Sequence, residues 1–395
     1  MSPIPIPAPI RDDEAAPSSQ SSAPQPSTPR SSTDDLCVGS RSLLYAALYA
    51  EVFSQALTRE ELVSYRAVAE GSETISGDAS SLLDGLIGTY LEESEGLVFP
   101  TGRGDLPAIR ARRAATTAVR WRVAARYAGW LRRVPFVRMV AVCGSLAVDN
   151  TEADGDVDLF LVAAPGRVWI VHTYAMVLRR LAGRPDIKVC PNLLLSRADL
   201  SVPKPDLYRA REVAQVTPLW GEATYEEFLA SNGWIHEMLP SFDLTARRRH
   251  LEEGRPSKLQ RFQEALLPGP VAELLDRAIH RVLVSYFQFR WRRYDPTGRE
   301  VARAYSRHRQ LSVAGGYGGA IGGRFVELVR RRLGRDETTE RDLQRFFPAA
   351  ASGEDVAPEQ SERRRSAEGV ARHFDQILTE DYGDPTAPQP QSARG

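Results

Sequence analysis

The chain has 395 residues, with 51 Lys+Arg against 51 Asp+Glu, 42% hydrophobic and 8% aromatic residues. That composition excludes a wholly disordered chain, and the length suits two or three domains. A net charge of zero argues against a protein built around non-specific nucleic-acid binding.

Lys188, Lys204 and Lys258 are the only lysines, so the abundant arginine reads as coding bias, not as a set of phosphate clamps. Cys37, Cys143 and Cys190 are odd in number, and the last two lie in apolar runs. They read as buried thiols of a reducing compartment. No apolar run approaches the ~18 residues of a membrane helix, and the proline-interrupted start has no signal-peptide core. The expected location is cytoplasmic, without a membrane partner.

Residues 1–35 hold eight Pro and eight Ser and few large apolar side chains, which predicts a disordered tail. From 36 to 100, SLLYAALYAEVF is a helix and Thr58 with Glu61 forms a capping box opening a second. ASSLLDGLIGTYL predicts a third helix, and YLEE–SEG–LVFP a hairpin. Three helices and a hairpin are the plan of a winged helix. Its third helix carries no Lys or Arg between Gly77 and Tyr90, but does carry Asp78 and Asp84. It therefore predicts a packing or substrate-contact module, not a DNA reader.

Residues 101–138 hold ten Arg and one acid, Asp105, on an amphipathic helical pattern. Two readings stand: a solvated face, or a basic wall beside a triphosphate. Residues 241–348 are expected to be helical, and 349–395 mostly disordered around a short helical stretch, GVARHFDQIL. GGYGGAIGG matches neither a Walker nor a GxGxxG pattern and reads as a flexible loop.

The chemistry concentrates in FVRMVAVCGSLAVDNTEADGDVDLFLVAA. Phe136 to Cys143 is an apolar strand, Gly144-Ser145 opens a short turn, and Asp156-Val157-Asp158 begins a second strand after ten intervening residues. Period-two alternation puts Asp156 and Asp158 on one face. Two close carboxylates repel unless a cation lies between them, and hard oxygen ligands suit Mg²⁺ or Mn²⁺. Gly144 permits close approach of a phosphate, and Ser145 adds an N–H and a hydroxyl. Together these form a candidate nucleoside triphosphate site.

These motifs resemble the DNA polymerase beta-like nucleotidyltransferase superfamily, in which a strand ends in Gly-Gly or Gly-Ser before Asp-x-Asp. The segments PFVRMVAVCGSLAVDN, KVCPNLLLS, ELVSYRAVAE and SNGWIHEMLP further resemble an uncharacterised bacterial group with a winged-helix-like extension. The resemblance implies an α+β fold: a nucleotidyltransferase domain over 101–240, a mixed sheet flanked by helices, between the winged-helix-like block and the helical C-terminal region. It implies two metal ions at Asp156 and Asp158, phosphates at Gly144 and Ser145, and transfer of a nucleoside monophosphate from a nucleoside triphosphate to an acceptor by two-metal in-line displacement with release of pyrophosphate. The neutral charge and acidic third helix favour a small-molecule acceptor; RNA or tRNA is the alternative, motivated by 101–138. A non-catalytic nucleotide-sensing winged-helix regulator is the non-enzymatic alternative.

Members often carry Ser before the Asp pair, where this chain has Gly155. Many carry a third carboxylate on a later strand. Asp186, at the start of PDIKVCPNLLLS, is the first candidate for that catalytic role and Asp206 the second. Trp169, Trp234, Arg167 and His172 read as structural.

Overall fold

The computed structural model describes residues 36–68, 78–182, 187–202, 206–243, 245–251, 256–292, 297–310 and 317–353. The fold is mixed α+β with two small sheets.

The chain opens with α1 (Val38–Val52), apolar over most of its surface, a pattern that requires enclosure. Every residue from Gly39 to Val52 is buried. β1 (Leu57–Thr58), α2 (Arg59–Ser64), α3 (Ala79–Asp84), β2 (Leu91–Ser94) and β3 (Leu97–Pro100) follow, with sheet order β1-β3-β2. Both bonds of the Thr58–Glu61 capping box are present. The hairpin turns at Glu95 and Gly96, both at positive φ. The third helix is shorter than its pattern predicts, because Gly85 caps it and Gly88 turns the chain at φ 87°. Its Asp84 is paired with Arg59, which also holds Glu93.

The central sheet has order β7-β4-β5-β6-β8. After α4 (Leu106–Leu131) come β4 (Val137–Val142), the single turn α5 (Gly144–Ala147), β5 (Val157–Ala163), α6 (Val168–Ala182) and β6 (Val189–Ser196). β4 runs antiparallel to β5, and β5 parallel to β6 across the α6 crossover. Next are α7 (Leu207–Gln215), β7 (Thr217–Trp220), α8 (Glu222–Ala230), α9 (Ile235–Met238) and a 3₁₀ turn (Thr245–His250). The remainder is α10 (Lys258–Leu266), α11 (Gly269–Trp291), α12 (Arg299–Ala304), β8 (Arg309–Gln310), α13 (Tyr317–Leu333), α14 (Glu337–Phe346) and α15 (Pro348–Ser352).

Strand alternation divides the core in two. Met139, Ala141, Phe160 and Val162 pack with α1, α7, α8 and α13. Val140, Val142, Leu159 and Leu161 pack on the other face with α4 and α6. Helix α11 grips the latter side: Asp276 Oδ1 accepts from the N–H groups of Trp169 (2.8 Å) and Ile170 (3.0 Å), satisfying the first turn of α6. The N-terminal helix is tied to the C-terminal ones. Buried Arg41 pairs with Asp336 and Asp342, and Tyr45 Oη donates to Asp342 at 2.6 Å.

The glycine-rich run is a correction. From Tyr317 onward it is helix α13, not a loop. A methyl group at Gly322 would lie 2.5 Å from Phe347 Cδ1, so the missing side chain is what lets Phe347 pack against the helix. That packing offsets the roughly 1 kcal/mol that each helical glycine costs. The 1–35 and 354–395 tails, including GVARHFDQIL, lie outside the described residues.

Gly221 joins β7 to α8 at φ 95°; a methyl group there would collide with the Arg138 carbonyl and lie 2.8 Å from Met139 Cα. Gly221→Ala is expected to lower stability by roughly 3 kcal/mol, combining left-handed strain with backbone displacement. Gly88→Ala, at similar φ but facing open space, should cost only about 1 kcal/mol. Urea denaturation of both variants checks the contrast.

Candidate active site

The edge where β4 hands over to β5 is closed by one backbone bond, Cys143 N–H to Asp158 O at 3.0 Å. Immediately beyond it the chain turns at Gly144 with φ 67°. A methyl group at Gly144 would lie 2.8 Å from Asp158 Oδ2. The glycine is therefore required twice, for its backbone conformation and for the carboxylate lying over it. Ser145 follows, half-buried, and its carbonyl accepts from the Asn150 N–H at 2.9 Å. Helix α5 has only four residues, too few for a useful macrodipole, so any anion here would rely on local N–H groups and the Ser145 hydroxyl.

Asp156 is buried and Asp158 keeps some exposed surface. Enough protein surrounds Asp158 that desolvation raises its carboxyl to about 7, with the charges of Asp156 and then Glu212 adding to the effect. Glu212, on α7, is the acid that sequence reasoning missed. Burial raises its carboxyl to about 6. Among the described residues, neither the Asp158 nor the Glu212 carboxylate has a hydrogen bond or ion pair; only the charge of Arg209 acts on Glu212. The sole sequence signal for Glu212 is a charged residue between Arg211 and Val213 on a helix that otherwise packs inward.

The other sequence candidates fare differently. Asp186 lies outside the described residues. Asp206 is the N-cap of α7, accepting from Arg209 N–H at 2.6 Å. Trp169 is fully buried. Arg167 pairs with Glu273. His172 is buried at 2.5 Å from Gln310 Oε1, and desolvation lowers its imidazole to about 4. Cys143 and Cys190 are buried thiols beside Asp158, both raised by desolvation and then by its charge.

The arginines of α4 divide, with Arg112, Arg122 and Arg126 exposed as on a solvated face and Arg110, Arg113 and Arg120 turned inward. Three of them hold the loop between the two motifs and the N-terminal block. Arg120 donates to the carbonyls of Gly155 (2.7 Å) and Ala153 (2.6 Å). Arg113 donates to Asn150 Oδ1 at 2.7 Å and pairs with Glu152, while Arg110 pairs with Glu61. Trp121 Nε1 reaches Asp149 Oδ1 at 2.7 Å. This bracing also explains Gly155: a methyl group there would lie 2.8 Å from Thr151 Cγ2 and 3.2 Å from Glu152 O.

The donor set suits a hard divalent cation. All three acids supply oxygen, and Mg²⁺ binds through one or two carboxylates completed by water and substrate phosphate. Among the described residues no group of three or more His, Cys, Asp or Glu could hold a metal ion, so a cation here would rest on one or two carboxylates with water and phosphate. A separate cavity of about 470 Å³ is lined by α13 and α15 residues such as Val326, Arg330 and Ala350, with none of these acids.

A raised carboxyl binds its proton more tightly in the folded chain, so its contribution is intact below the unfolded value near 4 and is lost as pH rises through about 7. In chelator, the melting temperature of Asp158→Asn should therefore climb relative to wild type between pH 4.5 and 7.5. Parallel curves across that range would refute the burial of this charge.

No protein-family model matches this chain, and none of the curated proteins or solved structures matches it either.

Proposed function

We propose that the chain is a Mg²⁺-dependent nucleotidyltransferase acting on a small-molecule acceptor. The observation that carries this reading is the Asp158 carboxylate lying over Gly144, with Asp156 and Glu212 close enough to act on its charge. A phosphate approach at the glycine turn is supported by the neighbouring Asp158 and Glu212, which make no ion pair among the described residues. The β4–α5–β5–α6–β6 order supports a polymerase beta-like core. The helix-strand-helix-helix-strand-strand order of the N-terminal block supports the winged-helix-like assignment.

In this mechanism Asp156 and Asp158 would hold the cation, which would supply charge neutralisation for an in-line phosphoryl displacement. Gly144 leaves room for a phosphate, and Ser145 donates to it. The acceptor hydroxyl oxygen attacks the α-phosphorus, the α–β P–O bond breaks, and pyrophosphate departs. Glu212, whose carboxyl sits at about 6, takes the acceptor's proton. The inward engagement of Arg110, Arg113 and Arg120 weakens the case for an RNA acceptor.

The test is pyrophosphate release from each nucleoside triphosphate with Mg²⁺ and a panel of hydroxyl- and amine-bearing acceptors. Asp156→Ala and Asp158→Ala should each lose at least roughly 100-fold in rate. Glu212→Gln should lose activity while retaining nucleotide binding. Full turnover in both aspartate variants would overturn the assignment. Steeply salt-dependent RNA binding would restore the RNA alternative.

A further inference from the structure

Partly buried arginines in this protein are generally matched by an acid: Arg41 by Asp336 and Asp342, Arg110 by Glu61, Arg113 by Glu152 and Arg138 by Glu264. Arg120 answers backbone carbonyls instead, and two further exceptions lie together. Arg211, on α7, is only 3% exposed, and its Nε and Nη1 have no hydrogen-bond partner. Its guanidinium lies over Tyr65 (3.9 Å to the ring centre) and Tyr49 (4.6 Å). Arg247 lies 5.7 Å from the same Tyr65 ring and donates to the Tyr65 hydroxyl. Neither arginine has a carboxylate within ion-pair distance among the described residues.

The two cations act on each other unfavourably, since Arg247 opposes the charge of Arg211 on top of its burial. The aromatic rings cover guanidinium faces, which leaves in-plane N–H donors as the unsatisfied groups. Arg247 also donates to Ala147 O at 2.9 Å, so the pair abuts the far end of the Gly144–Ala147 turn. Arg247 is half-buried and opens the group toward solvent. Glu212, next to Arg211 in sequence, acts on Asp158 instead.

We infer that Arg211, Arg247 and the Tyr65 hydroxyl form an oxyanion subsite of phosphate type between the N-terminal block and the glycine turn. A dianion would neutralise both guanidiniums, where a single carboxylate would neutralise one; guanidinium forks also match tetrahedral oxyanions. The occupant is either a phosphate of the nucleotide or a separate phosphate-bearing group. The subsite does not depend on a cation at Asp158.

The experiment is thermal melting of the full chain in chelator, titrated with inorganic phosphate against chloride at equal ionic strength. Wild type should gain several degrees specifically from phosphate. Arg247→Met should lose most of that gain, and Arg211→Met should do the same; if the latter does not fold, the half-buried Arg247 carries the test. Asp158→Asn should keep the gain, which separates this site from the metal reading. No phosphate-specific gain in wild type, or an undiminished gain in Arg247→Met, would overturn the subsite. If ATP abolishes the added effect of phosphate, the nucleotide supplies the oxyanion. If the two gains add, a separate group does.

Discussion

The structure depends on keeping like charges close together in a place largely enclosed by protein. Asp158 is surrounded by protein, repelled by Asp156 and Glu212, and lies over a glycine that has no room for a side chain. Such an arrangement costs folding free energy at neutral pH unless a proton or a cation enters. Backbone geometry holds it in place. The Cys143–Asp158 bond fixes the end of β5 against the turn, and parallel pairing of Asp158 with Cys190 fixes the other side.

Much of the surrounding architecture keeps that edge still. Arg120 and Arg113 tie the connecting loop to α4 through carbonyls, an amide and a carboxylate. Asp276 fastens the start of α6, the helix that returns the chain from β5 to β6. Glu264 receives the Phe136 N–H and pairs with Arg138 at the opening of β4. In each case a charged side chain answers backbone groups that would otherwise be left unsatisfied. Arg113 and Arg120 are committed to the loop in this way, while Arg112, Arg122 and Arg126 of the same helix stay exposed.

Helix α7 carries a cation and an anion in adjacent residues, neither of them in an ion pair among the described residues. Arg211 turns to Tyr49 and Tyr65, and Glu212 is felt by Asp158 and Cys143. Successive helical residues point about 100° apart, so one helix can present a cation to one chamber and an anion to the next. A substrate carrying phosphate and a divalent cation would satisfy both, which is a physical reason for the two defects to sit side by side.

By itself the sequence determined the local features. The capping box at Thr58, the hairpin at Glu95-Gly96 and the long helices all follow from periodicity and turn chemistry, which act over a few residues. Only the tertiary structure decided the rest. It showed that Glu212 joins the acids, that Arg120 reaches the Gly155 carbonyl, and that glycines from Tyr317 onward form a helix under Phe347. Each of those depends on elements distant in the chain meeting across a core. Burial, which raises the Glu212 carboxyl and makes Gly322 necessary, is a property of that meeting and of no local pattern.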